Sequence, residues 1–179
     1  MFHSWYECLS QDASWWTIAL VLGITLVCVG LFSGRNDALR RISNIGREKL
    51  LDGRWWYSKA DAAELLDKLG ARGRGLYAAT AVTLDLFFPF AYGLLFGLLL
   101  VRLWPRGQAW LLLLPLVTVI ADLLENLTIA ILALTYREGG EAALAGPAAV
   151  FTLTKRIFLT LSTLAVLIGL VRAFLRIGC

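Results

Sequence analysis

Four stretches of this chain are almost wholly apolar: 15–32, 76–101, 110–136 and 147–171. A helix rises 1.5 Å per residue, so about 20 apolar residues cross a hydrocarbon core some 30 Å thick, and each stretch is about that long. Trp15, Trp16, Trp104, Trp110 and Tyr136 fall near their ends, where amphipathic rings favour the headgroup level. The pattern predicts an all-α integral membrane protein, a four-transmembrane-helix bundle forming one domain over 1–179. Glu7 and Asp12, and no Lys or Arg, precede the first stretch, and no small-residue cleavage site directly follows it, so it is expected to be a permanent span.

Between the first two stretches the periodicity changes. Leu39, Ile42 and Ile45 recur at three-residue spacing before Gly46, which predicts a short amphipathic helix over 37–45. Ser58 and Asp61 form a capping-box pattern ahead of Ala62, Leu65, Leu66 and Leu69 on one face, with Gly70 as the stop. With Trp55, Trp56 and Tyr57 just before it, the segment 37–70 reads as interfacial, lying on the membrane and lidding the bundle. Arg72-Gly73-Arg74-Gly75 reads as a hinge into the second span; it lacks the flanking strand of a phosphate-binding loop.

Composition agrees: 59% of the 179 residues are hydrophobic, 17% are charged and the mean hydropathy is +0.71. The net charge of +4 does not indicate nucleic acid. Ten of the seventeen basic residues lie within 35–74 among six acids, which predicts a solvated or headgroup-facing surface. The positive-inside rule places that connection in the cytoplasm and the N-terminus outside, with the orientation left open by Arg172 and Arg176 near the other end. Cys8, Cys28 and Cys179 have no metal or redox spacing.

Ionisable residues interrupt the apolar stretches, where each costs several kcal/mol unless it faces a partner or a cavity. Asp122, Glu125 and Asn126 stand at i, i+3 and i+4, with Thr118 a turn earlier, so they share one helix face. Asp85, Pro89 and Tyr92 form a comparable face on the second span, and Thr152, Lys155 and Ser162 on the fourth. Counting the rise from Tyr77, Pro147 and Leu134 puts Asp85, Lys155 and Glu125 ~12–14 Å in from the side of the long connection. Asp85, Glu125 and Lys155 are therefore expected to converge in one polar layer. Arg156 is expected to swing towards the interface. The sole His is His3, so the layer has no set suited to zinc, haem or Ser/His/Asp catalysis, and no cofactor or metal is expected.

Paired carboxylates at low dielectric can share a proton, which suits acid–base chemistry on a lipophilic substrate or recognition of a cationic or hydroxylated amphiphile. Asp85, Asp122 and Glu125 are thus the candidate catalytic residues, and Tyr92, Asn126, Lys155 and Thr152 the candidate ligand-binding residues. The expected function is binding, extending to proton-transfer processing, of a lipid or lipophilic small molecule. The alternative is a non-catalytic subunit of a larger membrane complex, or a homo-oligomer, in which the layer only holds helices together.

Around these residues the chain resembles a family of small bacterial four-span membrane proteins of unassigned function. The resemblance is carried by Leu65-Leu66-Asp67-Lys68-Leu69-Gly70, Asp85-Leu86-Phe87-Phe88-Pro89-Phe90-Ala91-Tyr92-Gly93, Asp122-Leu123-Leu124-Glu125-Asn126 and Thr152-Leu153-Thr154-Lys155. It runs from about residue 51 through the fourth span and implies the topology and a location in the bacterial inner (cytoplasmic) membrane. More distantly, Asp85 with Phe88-Pro89 and Tyr92 is similar to the EXPERA domain of sterol isomerases and sigma-type receptors. That similarity implies four spans with a long first connection and carboxylates around an apolar ligand.

Overall fold

In the computed structural model, residues 2–43, 45 and 49–177 are described. The protein is an all-α bundle. The helices are α1 (Phe2–Asp12), α2 (Trp15–Ile42), α3 (Lys59–Ala81), α4 (Leu84–Leu103), α5 (Leu113–Thr135) and α6 (Ala145–Ile177). Short 3-10 segments lie at Leu51–Gly53 and Arg106–Leu112. Four helical stretches are long and apolar enough to cross a membrane: Trp15–Ile42, Lys59–Leu103, Arg106–Thr135 and Ala145–Leu175.

Two apolar clusters hold the bundle. One gathers Ile18 and Val21 of α2, Leu95 and Leu98 of α4, Leu111 and Leu112 before α5, and Ala165 and Val166 of α6. At this end α1 is anchored by the Tyr6 hydroxyl, 2.9 Å from the Trp104 carbonyl oxygen, and by an ion pair between Glu7 and Arg106. The other cluster packs Leu39, Leu51, Tyr57, Leu65, Leu66 and Leu69 against Ile129, Ala133, Ala148 and Ala149 near the α5–α6 turn. It forms a cap. Lys59 pairs with Glu141 at 2.5 Å and the Gly139 amide donates to Asp67 at 3.2 Å, tying α3 to that turn.

Several local expectations change. No separate helix over 37–45 is present: α2 continues from Trp15 through Ile42, and the expected stop at Gly46 lies outside the described residues. Arg40 and Arg41 in its last turn favour this extension by facing the negative end of the helix dipole. The Ser58–Asp61 capping box is present. Gly70 does break the helix, with φ 61° and ψ 177°, a conformation that a residue with a Cβ resists, but the chain resumes helix and runs to Ala81. The second span is correspondingly not one helix over 76–101: the chain bends at Val82 and Thr83 before α4 begins. Nor is the basic connection uniformly solvated. Arg35 and Arg74 are buried, the latter donating to the Leu66 carbonyl at 3.1 Å with its guanidinium over the Tyr136 ring.

These boundaries relocate the polar layer. Asp85 stands in the first turn of α4, about 27 Å along the axis from Leu103. Arg35 is about 30 Å along α2 from Trp15, and Lys155 about 30 Å from Leu175 on α6. Each distance is close to one hydrocarbon thickness. The layer thus lies beneath the cap, level with the first turn of α4 and the middle of α5.

Candidate functional site

Asp85, Tyr92, Thr118, Asp122, Glu125, Asn126, Thr152 and Ser162 are buried, and Lys155 and Arg156 are partly buried. On α5, Asp122, Glu125 and Asn126 face inward with Thr118, as i, i+3 and i+4 spacing requires, because the opposite face carries Ile120, Leu124, Leu127 and Ile131 to the outside. Across from them, Lys155 of α6 lies between two carboxylates. Its Nζ is 3.1 Å from Asp122 Oδ1 and contacts Glu125 Oε2. The second oxygen of each acid is also bound. The Tyr92 hydroxyl donates to Asp122 Oδ2 at 2.7 Å, and the Thr152 hydroxyl donates to Glu125 Oε1 at 2.6 Å. Behind Thr152, the Tyr57 hydroxyl lies 3.4 Å from its oxygen and can donate to it. Lys155, Asp122 and Glu125 are thereby fixed from four elements.

Asp85 is paired with Arg35 of α2. Its Oδ2 accepts from Arg35 Nη1 at 2.8 Å, and Asn126 donates from Nδ2 to its backbone oxygen at 2.7 Å. Asp85 and Lys155 line one cavity, as the matching depths predicted, but Arg35 rather than Lys155 neutralises the carboxylate. Arg35 also reaches Asp52 Oδ2 at 3.0 Å and packs over the Phe32 ring, 4.8 Å from its centroid. Asp52 in turn accepts from the Tyr77 hydroxyl at 2.9 Å. Burial alone would raise the Asp52 carboxyl; the charges of Arg35 and Lys155 outweigh it and hold it below the ordinary carboxylate value.

Arg156 does not swing outward. It donates to the Arg54 carbonyl at 2.7 Å and the Asp52 carbonyl at 2.9 Å, with Trp55 packed on its guanidinium, and so straps the 51–54 turn onto α6. Spacing did not point to Arg35, Asp52, Tyr57, Tyr77 or Arg156 as parts of the layer. One signal was present: Arg35 is as far from Trp15 as a span is long, which puts it level with the other charges.

The side chains line an open-sided cavity of about 260 Å³, formed by Phe32, Arg35, Asn36, Asp52, Asp85, Phe88, Asp122, Asn126 and Lys155. Glu125 and Thr152 stand behind Lys155 and position it. The rings of Phe32, Phe88 and Tyr92 form an edge-to-face series, with centroids 4.9 and 5.1 Å apart. The cavity thus combines charged groups with an aromatic wall. Among the described residues no cluster of His, Cys, Asp and Glu is arranged to hold a metal. No family model, curated protein or solved structure matches the chain.

Proposed function

We propose that the protein binds an amphiphilic small molecule or lipid in a membrane, its polar head in the cavity between Asp85, Asp122, Asn126 and Lys155 and its apolar tail along the span. The observation that carries this reading is the cavity itself, a charged space of about 260 Å³ beneath the cap, with Phe32 and Phe88 on its wall. A bundle held together by polar contacts needs no such space: pairing alone would be served by close-packed Ser, Thr or small residues, with far less desolvation. Asp85, Asp122 and Glu125 are the groups through which a bound molecule could exchange a proton, and Tyr92, Asn126, Lys155 and Thr152 orient them or the ligand. The resemblance to bacterial four-span proteins is consistent with a home in an inner membrane.

The test is lipid retention. Organic extracts of the protein purified in mild detergent should contain about one equivalent of a single amphiphile class, and Asn36→Trp, which fills the cavity from α2, should lose it. Equal lipid content in the two proteins would count against the proposal.

A further inference from the structure

The end of the bundle away from the cap holds a groove that the polar layer does not use. It runs between the start of α5 and α6, has a volume of about 460 Å³, and is lined by Leu111, Leu114, Leu161, Leu164, Ala165 and Ile168. The four α6 residues fall at i, i+3, i+4 and i+7 and so share one face, and its three large side chains are about half exposed. Trp104, Gln108 and Trp110 complete the lining. Close helix packing in a bilayer favours small residues at the seam, and here only Ala165 is small. The groove therefore suits a flexible hydrocarbon chain better than a second helix.

This α6 face ends on a charge. Arg172 follows Ile168 by one turn, about 6 Å further along the axis. Its guanidinium carbon lies 4.6 Å from the centroid of the Trp104 ring, and no carboxylate of the described residues pairs with it. The ring beneath it is fixed. Trp104 Nε1 donates to the Ala165 carbonyl at 3.1 Å, an approach that Gly169 permits, since a Cβ there would lie 2.9 Å from the same nitrogen. The described side chains at this end carry three cations, Arg102, Arg106 and Arg172, against two acids, Glu7 and Asp12, and Glu7 is taken by Arg106. Gln108 Oε1 is shielded from solvent and accepts no hydrogen bond from any described residue. A buried acceptor without a donor is costly, and the soft terminal torsion of the side chain lets this one turn into the groove.

We propose that this groove is a site for an anionic phospholipid with a hydroxyl-bearing headgroup. One acyl chain lies along Leu111, Leu114, Leu161 and Ile168, the phosphate faces Arg172, and the hydroxyl donates to Gln108 Oε1. A planar guanidinium presents paired N–H donors to a phosphate, and the Trp104 ring holds it at the end of the groove. The site is independent of the polar cavity and goes beyond the reading given to it. The chain itself gains little here, because lipid tails are as apolar as Leu. Preference over the surrounding lipid comes from the headgroup, roughly fivefold for one basic side chain at an anionic surface. The lipid is accordingly exchangeable: excess detergent displaces it, so it does not enter the lipid count of detergent-purified protein.

Tryptophan fluorescence of the protein in phosphatidylcholine vesicles tests this, with part of the lipid replaced by phospholipid brominated on one acyl chain, since bromine quenches an indole on contact. Replacing Trp5, Trp15, Trp16, Trp55 and Trp56 by Phe, all of them at least 40% exposed, leaves Trp104 and Trp110 as reporters. Brominated phosphatidylglycerol should reach half-maximal quenching at a roughly fivefold lower mole fraction than brominated phosphatidylcholine. Brominated phosphatidylmethanol, which keeps the charge and lacks the hydroxyls, should fall between them. Arg172→Gln should remove the preference, Gln108→Leu only the difference between the two anionic lipids, and Arg106→Gln neither. Wild type, with all seven tryptophans, should show the same order in a smaller share of its emission, a measurement that needs no variant. Phosphatidylmethanol matching phosphatidylglycerol would overturn the Gln108 contact. Equal quenching by all three lipids, quenching by none because a second copy of the chain covers the groove, or an equal loss of preference in Arg106→Gln and Arg172→Gln would overturn the site.

Discussion

Replacing Lys155 by Met tests the energetics of the layer most severely. The side chain is only 12% exposed, and its ammonium bridges Asp122 and Glu125, whose side chains are 8% and 0% exposed. Met matches the volume and removes the charge, leaving two carboxylates facing each other without a cation. Removing one partner of a buried pair costs about 3–5 kcal/mol. The loss should fall near the lower end, about 3 kcal/mol, because Tyr92 and Thr152 still donate to the two acids and hydrogen bonds to charged groups contribute about 1.5–3 kcal/mol each. That is roughly a hundredfold in the folded-to-unfolded ratio. The triple variant Asp122→Asn, Glu125→Gln, Lys155→Met removes all three charges and should recover to within about 1 kcal/mol of wild type, since neutral replacements for buried ion pairs are often tolerated. Reversible unfolding by sodium dodecyl sulfate in mixed micelles, followed by tryptophan fluorescence, measures both. A loss below about 1 kcal/mol for Lys155→Met would show that the three charges are already screened by water, and the burial of this ion-pair cluster would not carry the energy assigned to it.

Other outcomes follow from particular contacts. A Cβ on Gly93 would lie 2.4 Å from Val119 Cγ2, so Gly93→Ala should destabilise by about 1–3 kcal/mol, and adding Val119→Ala should restore most of it in the same unfolding assay. Arg35→Gln leaves Asp52 and Asp85 without their shared cation and removes the charged tie of α2 to the site; hydrogen exchange should then speed up in the second half of α2 more than in α5, and uniform exchange would argue against that tie. Asp52 is held below its ordinary value, so its ionised form stabilises the fold above about pH 4, and that stability is lost as pH falls through the lower, folded-state value. Asp52→Asn should flatten the acid limb of a melting-temperature profile, and an unchanged limb would contradict the assignment.

What the chain revealed on its own was what helical geometry carries. The i, i+3, i+4 spacing of Asp122, Glu125 and Asn126 and the matching positions of Lys155 and Asp85 on antiparallel helices were enough to bring these side chains to one polar layer, Glu125 standing behind Lys155 and the others lining the cavity. The missing parts lie where local signals conflict with tertiary structure. Ser33-Gly34-Arg35-Asn36-Asp37 looks like punctuation, yet the helix passes through it because Arg35 finds Asp85, fifty residues away, and Asp52. No periodicity encodes such a pairing. Trp55, Trp56 and Tyr57 read alike as interface aromatics. In the fold the two tryptophans are 57% exposed, whereas Tyr57 is 2% exposed beneath the cap, within reach of Thr152. The break at Val82 and Thr83, which places Asp85 in the first turn of a new helix, has no signal in the apolar run 76–101.

The central claim is that the cavity between Arg35, Asp85, Asp122 and Lys155 is an amphiphile site. Its most direct test is an electron cryomicroscopy map of the protein extracted from its own membrane and raised to sufficient mass with a bound antibody fragment. The account predicts elongated density with one end within hydrogen-bond distance of Asp85 and a tail passing Phe32 and Phe88 towards the apolar span. Side chains collapsed into the cavity, or isolated water-like peaks bridging Asp85 to Lys155 with no tail, would contradict it.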